Sequence, residues 1–77
     1  MAQVTVTMNG RLYRLACGDG EEARLTDLAR HVEAKVGEVV AQFGQVGEER
    51  LFLMAALLVA DELFEARERI AGSREKA

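Results

Sequence analysis

The chain has 77 residues, of which 49% are hydrophobic and 30% charged, and its formal net charge is −3. This length predicts one domain that buries only about 60% of its unfolded surface as a monomer, a size at which oligomerisation commonly supplies the missing stability. The single cysteine excludes an internal disulfide and favours a reducing, cytoplasmic setting, while the negative charge argues against nucleic-acid binding.

A β-hairpin is predicted for residues 3–17. Residues 3–8 alternate between two faces and are rich in β-branched side chains, which is typical of a strand. Asn9-Gly10 then predicts a type I′ turn, because this pair accepts positive φ at both central positions. The resulting register places Val4, Val6, Tyr13, Leu15 and Cys17 on the core face, Thr5, Thr7 and Arg14 on the outer face, and Arg11 beside the turn.

The first helix is predicted for about residues 20–43. Its apolar residues recur at steps of three and four, which indicates one buried stripe: Leu25, Leu28, Ala29, Val32, Val36, Val39, Val40 and Phe43. Asp19 is expected to cap the helix, with Glu22 reaching back to it. Gly44 stands where a helix C-cap is expected.

The second helix is predicted from about residue 48 and contains ten consecutive apolar residues, 51–60. This run is too short to span a bilayer, which needs roughly 20 residues. A helix that is apolar all round must be covered all round, and the hairpin and first helix cover two sides. We therefore expect a second copy of the chain on the remaining side. The predicted oligomer interface comprises Leu53, Met54, Leu57, Leu58 and Phe64.

The order of strand, strand, helix and helix predicts an α+β fold, ββαα. Residues 1–60 are expected to form the head domain. Residues 61–77 are expected to continue the second helix as the start of a coiled coil with a frayed end.

No constellation of residues indicates catalysis, cofactor binding or metal binding. A Gly-rich phosphate loop, a Ser/His/Asp set and Cys/His ligand spacing are all missing from the sequence. His31 is interpreted as a surface histidine and Cys17 as a small buried hydrophobic residue. The sequence therefore predicts a protein that is not an enzyme.

Two arginines on the predicted hairpin, Arg11 and Arg14, have two interpretations. Charged residues on an exposed strand protect its edge against aggregation. Arginine is also common where carboxylates or partner surfaces are recognised. The residues alone leave both interpretations open.

The ordered residues nevertheless resemble a known family. The segments at 4–17 (VTVTMNGRLYRLAC) and 47–57 (GEERLFLMAAL), followed by Asp61-Glu62-Leu63, resemble the ZapA family of bacterial cell-division proteins. The resemblance covers residues 3 to 70 and is nearest to alphaproteobacterial members.

This resemblance implies a scaffold at the mid-cell division ring that binds and bundles polymers of FtsZ, the tubulin-like GTPase. It implies a homodimer formed through the second helix, and it assigns FtsZ binding to Arg11, Arg14 and Glu49. Family members carry a longer C-terminal helix than the turns that follow Asp61 here, so a dimer and a tetramer both stay open. No nucleic acid, membrane insertion or cofactor is expected.

Two other classes of protein are less well supported. A homodimeric DNA-binding module could read DNA with its β-ribbon, but the net acidity argues against it. An enzyme acting at an oligomer interface would need His31 or Cys17 as its reactive group, and neither has a converging set of partners.

Overall fold

The computed structural model describes the backbone of residues 1–76 and the side chains of residues 1–72. Two strands, β1 (Ala2–Met8) and β2 (Arg11–Cys17), are followed by two helices, α1 (Glu22–Phe43) and α2 (Glu48–Lys76). This ββαα order confirms the predicted α+β fold. The predicted frayed end includes Ala77, which lies outside the described residues, and it stays a prediction.

The hairpin has the register that its turn predicts. β1 and β2 are antiparallel, and Val6 lies opposite Tyr13, Val4 opposite Leu15 and Thr5 opposite Arg14. Asn9 and Gly10 have φ values of 51° and 81°, which are the left-handed values that a type I′ turn requires. The two-residue turn therefore fixes which side chains face the helices.

The start of α1 differs from the prediction. Glu21, not Asp19, occupies the N-cap position, and its side chain makes no capping hydrogen bond. The Glu21 N–H donates to the Gly18 carbonyl at 3.1 Å, so the chain completes a turn before the helix begins at Glu22. Asp19 lies within this turn, and its carboxylate is 3.2 Å from the Met1 amino group. The capping box predicted for Asp19 and Glu22 is therefore wrong.

The end of α1 agrees with the prediction. Gly44 is the C-cap residue with a φ of 78°, and its N–H donates to the Val40 carbonyl at 2.8 Å. Glycine reaches this positive φ without a steric penalty, so the chain can leave α1 and turn back toward α2.

The buried core is small and lies between α1 and α2. Val36 and Val39 of α1 pack with Leu51 and Ala55 of α2, and the side chains of Met8, Val32, Val40, Phe52 and Met54 surround them. Val6 is the one further hydrophobic residue buried among the described side chains. The Cα atoms span 46 × 37 × 14 Å, so the chain is a thin slab. A slab of this thickness leaves much apolar surface exposed.

Candidate partner-binding surface

Arg11 at the start of β2 contacts the first turn of α2. Its Nη1 atom lies 3.3 Å from Oε2 of Glu48, and the Tyr13 hydroxyl donates a hydrogen bond to Oε1 of the same carboxylate. The Tyr13 ring also packs edge-on against Phe52, with 6.2 Å between the ring centroids. One carboxylate therefore joins two side chains of the hairpin to the start of α2.

The Tyr13 hydroxyl titrates abnormally because of this contact. Its hydrogen bond to the Glu48 carboxylate is the main cause that raises the pKa of Tyr13, and partial burial and the negative charge of Glu48 act in the same direction. Arg11 opposes this rise, since a nearby positive charge favours the tyrosinate. The tyrosine is thus held as a protonated donor to Glu48.

The tip of the hairpin has a second attachment to the helices. The side-chain amides of Asn9 and Gln45 exchange two hydrogen bonds, of 3.1 and 3.2 Å. Gln45 belongs to the connection between α1 and α2. The turn, the start of β2 and the start of α2 therefore meet at one place, which we call the hairpin junction (Asn9, Arg11, Tyr13, Gln45 and Glu48).

Arg14 lies on the other face of β2. Alternation along the strand places Arg11 and Tyr13 on the face toward the helices and Arg14 on the outer face, opposite Thr5. Arg14 is exposed and makes no hydrogen bond or ion pair with any described side chain. Leu12, on the same outer face, is 74% exposed. The structure therefore does not bring the two predicted arginines together.

Glu49, the third residue assigned to partner binding, is exposed in the first turn of α2. Within the described part of the chain it makes no hydrogen bond or ion pair. Its neighbour Glu48 makes the contacts to the hairpin, although the sequence indicated for Glu48 only a favourable charge at the start of the helix. The alternation of side chains along β2 predicts that Arg11 and Tyr13 share one face. The sequence does not indicate that the start of α2 lies against that face.

The predicted oligomer residues fall largely on an exposed face. Leu53 and Leu57 are each 60% exposed, and Phe64 and Leu58 are also exposed; these four residues are called the α2 stripe below. Leu53, Leu57 and Phe64 follow steps of four and seven, so they share one side of the helix. Met54 differs, because it is half-buried against the core of its own chain.

The exposed area of the chain is large for its mass. A folded monomer of 8.5 kDa is expected to expose about 4,650 Å², whereas this chain exposes 6021 Å². The excess of about 1,400 Å² exceeds the roughly 800 Å² that each partner contributes to a standard interface. The chain therefore exposes more surface than a compact monomer of its mass.

His31 joins the two helices through an ionic cluster. Its Nε2 atom lies 2.7 Å from Oε1 of Glu62 in α2, and Nζ of Lys35 lies 3.5 Å from Oε2 of that carboxylate and 2.9 Å from Glu38. The hydrogen bond from His31 is the main cause that lowers the pKa of Glu62, and Lys35 acts in the same direction. His31 thus has a structural partner on the other helix.

Cys17 is half-buried at the end of β2 and has a free thiol. Burial is the main cause that raises the pKa of this thiol, and the nearby charges of Glu22 and Glu21 add to the effect. A thiol held protonated in this way is a poor nucleophile.

The described residues lack two further features, a metal-binding cluster and a membrane-spanning helix. They contain no group of three or more His, Cys, Asp or Glu residues arranged to hold a metal ion. None of their helices combines the length and apolarity needed to cross a membrane.

The fold and these surfaces define a class of small ββαα modules with a charged hairpin and an exposed apolar helix face. The family described as "Cell division protein ZapA" matches residues 4–77. The chain belongs to the ZapA family of cell division proteins.

Two curated proteins are similar to this chain, and one of them carries the same family description. The chain is 31% identical over 67 residues to "Cell division protein ZapA" of Pseudomonas aeruginosa, a match that covers 87% of the chain and 64% of that protein. It is 30% identical over 63 residues to an uncharacterized protein of Rickettsia prowazekii, covering 82% of the chain and 60% of that protein. The chain thus spans less than two thirds of the length of these curated relatives.

A solved structure has the same fold. It is described as an unknown conserved bacterial protein from Pseudomonas aeruginosa, and it superposes on this chain with a TM-score of 0.90 at 28% sequence identity. The superposition covers 99% of this chain and 84% of the solved one. The likeness therefore extends over the whole described chain, including α2.

Proposed function

We propose that this chain is a non-enzymatic scaffold that binds FtsZ polymers and cross-links or bundles them at the mid-cell division ring. The observation that carries the proposal is an exposed arginine, Arg14, on the outer face of the hairpin in a member of the ZapA family. In this proposal Arg11, Arg14 and Glu49 contact FtsZ. Neither a cofactor nor a nucleic acid takes part.

Because the two arginines lie on different faces of the hairpin, we propose that the FtsZ-binding surface extends around its tip from one face to the other. Arg14 and the apolar Leu12 point outward from one face, while Arg11 stands at the tip with 72% of its side chain exposed. A guanidinium group offers five N–H donors, so Arg11 can contact Glu48 and still donate to a carboxylate of the partner. An arginine surface of this kind is complementary to an acidic polymer surface.

Cross-linking also requires more than one binding surface on each particle. We propose that the α2 stripe, together with the partly buried Met54, pairs two chains into a homodimer, with a homotetramer as the larger alternative. A two-fold dimer carries two copies of each hairpin, and two linked binding events give avidity that a single chain lacks.

The direct test is co-sedimentation with FtsZ polymers. Arg14→Glu is expected to abolish binding while leaving the circular dichroism spectrum and the molar mass unchanged, because Arg14 has no partner among the described side chains. The matched control is Arg24→Glu, a charge reversal at an exposed position of α1. Full binding by Arg14→Glu would show that the surface is placed wrongly.

Measurements on the unsubstituted protein distinguish the scaffold from the DNA-binding alternative. Binding with bundling supports the proposal, and binding without bundling separates recognition from cross-linking. If the folded protein does not pellet with FtsZ but shifts DNA at low salt, the DNA-binding alternative replaces the scaffold.

A further inference from the structure

We infer that Glu48 is a positioning residue for the partner-binding surface: it fixes Arg11 and the hairpin tip against α2, so that strand and helix present one surface. The inference rests on the proposed function, since it concerns how that surface is organised. Glu48 itself is not assigned a contact with the partner.

The geometry of the hairpin junction carries this inference. Glu48 uses both oxygens of its carboxylate, one toward Tyr13 and one toward Arg11. Its side chain is only 33% exposed, whereas that of Arg11 is 72% exposed. The carboxylate is therefore directed inward to the hairpin, and the guanidinium it holds stays open to a partner.

The hairpin needs such an attachment because its own packing is limited. A two-stranded sheet is marginally stable by itself and depends on packing against other elements. β1 packs along α1, whereas β2 reaches α2 through Tyr13 and Arg11, and the turn reaches the connection between the helices through Asn9. Removing the carboxylate leaves this end attached through the Asn9–Gln45 amide pair, the Tyr13–Phe52 ring contact and the packing of Met8 against the core.

Glu48 also differs from Glu49 in what it can do. Both lie in the first turn of α2, where negative charge is favourable. Of these two glutamates, Glu48 alone contacts a described side chain of the hairpin. Replacing either glutamate would remove the same favourable charge from the start of α2. Replacing Glu48 alone would also release Arg11 and Tyr13.

A double-mutant cycle with Arg11 tests the inference. Glu48→Ala is expected to weaken co-sedimentation with FtsZ polymers about fivefold, the size of one exposed charged contact. Glu48→Gln is expected to weaken it less, because the amide oxygen still accepts from Tyr13. If Glu48 acts through Arg11, then Glu48→Ala has no further effect in an Arg11→Ala background. Glu65→Ala, an exposed acid further along α2, is the control.

A second readout uses the free protein. The chain has one tyrosine and no tryptophan, so ultraviolet absorbance follows the ionisation of Tyr13 alone. In Glu48→Gln the pKa of Tyr13 is expected to fall toward its ordinary value, because the charged acceptor is lost. An unchanged titration would overturn the inference without any reference to FtsZ.

The outcomes separate this inference from the proposed function. If the parent does not bind FtsZ, the proposed function is wrong and the positioning role is wrong with it. If the parent binds and Glu48→Ala binds equally well, only the positioning role is wrong. Tighter binding by Glu48→Ala would also overturn it, since Glu48 would then compete with the partner for Arg11.

Discussion

The α2 stripe gives a prediction whose magnitude follows from the exposure of one residue. Leu57 is 60% exposed in the single chain. Burying a whole leucine side chain is worth about 1.5–3 kcal/mol, so covering the exposed part of Leu57 contributes about 1–2 kcal/mol per chain. The substitution Leu57→Ala keeps the Cβ atom and removes about 1 kcal/mol of this contribution from each chain. A two-fold dimer contains the residue twice, which makes the loss about 2 kcal/mol, or about 30-fold in dissociation constant.

Sedimentation equilibrium over a dilution series measures this change. Leu57→Ala is expected to raise the dimer dissociation constant about 30-fold, with the circular dichroism spectrum of each chain retained at high concentration. The control is Leu12→Ala, which removes the same atoms from a residue that is 74% exposed on the hairpin. The reasoning would be refuted if Leu57→Ala dissociated like the parent, or if Leu12→Ala weakened the dimer equally.

A charge at the same position is a stronger perturbation. Leu57→Glu would place an unpaired carboxylate in an apolar contact, which costs more than the loss of methyl groups. We expect the chain to become monomeric or to unfold. An unchanged molar mass in light scattering would show that this face of α2 lies outside the interface.

Three further predictions concern the fold. Leu51→Ala is expected to lower the free energy of unfolding by about 2–5 kcal/mol in urea titrations, because Leu51 is fully buried between the helices. Gly10→Ala is expected to destabilise the fold by about 1–2 kcal/mol and so to lower the thermal midpoint, because a φ of 81° strains the backbone of alanine. Backbone strain is the whole expected cost, since an added Cβ would meet no other atom within 4 Å. Glu62 contributes stability that is complete above the ordinary glutamate pKa and is lost as pH falls through its lowered folded-state pKa. Glu62→Gln should flatten that acid dependence in thermal melts, and a variant that kept it would contradict the role of the His31 contact.

The sequence predicted the elements that depend on local chemistry. Asn9-Gly10 determines both the turn and the register of β1 and β2, because only a few residues accept positive φ at two successive positions. Gly44 likewise marks the end of α1. The Asp19 cap failed for a local reason, since the Gly18–Glu21 turn competes with helix formation before Glu22.

Contacts between distant elements could not be predicted in the same way. Arg11 and Glu48 are 37 residues apart, and their meeting depends on where α2 lies relative to the hairpin. His31 and Glu62 depend similarly on the packing of α1 against α2. The unbroken apolar run of residues 51–60 predicts that α2 needs covering, but its role as an oligomer interface stays a prediction. Which acidic residue touches the hairpin depends on the tertiary arrangement.

The proposed function depends on two surfaces that do not use the same residues. The arginines lie on the hairpin and Glu49 lies in the first turn of α2, one turn before Leu53. The stripe is centred on Leu57, two turns beyond Glu49, so dimer formation need not cover the residues that bind FtsZ. Leu57→Ala should therefore retain polymer binding at concentrations where it is monomeric, but lose bundling, because one chain carries one hairpin. Electron microscopy of the polymers and co-sedimentation on the same samples would measure both properties. If binding stayed absent even at concentrations of Leu57→Ala high enough to offset the lost avidity, each FtsZ-binding surface would have to contain residues of both chains.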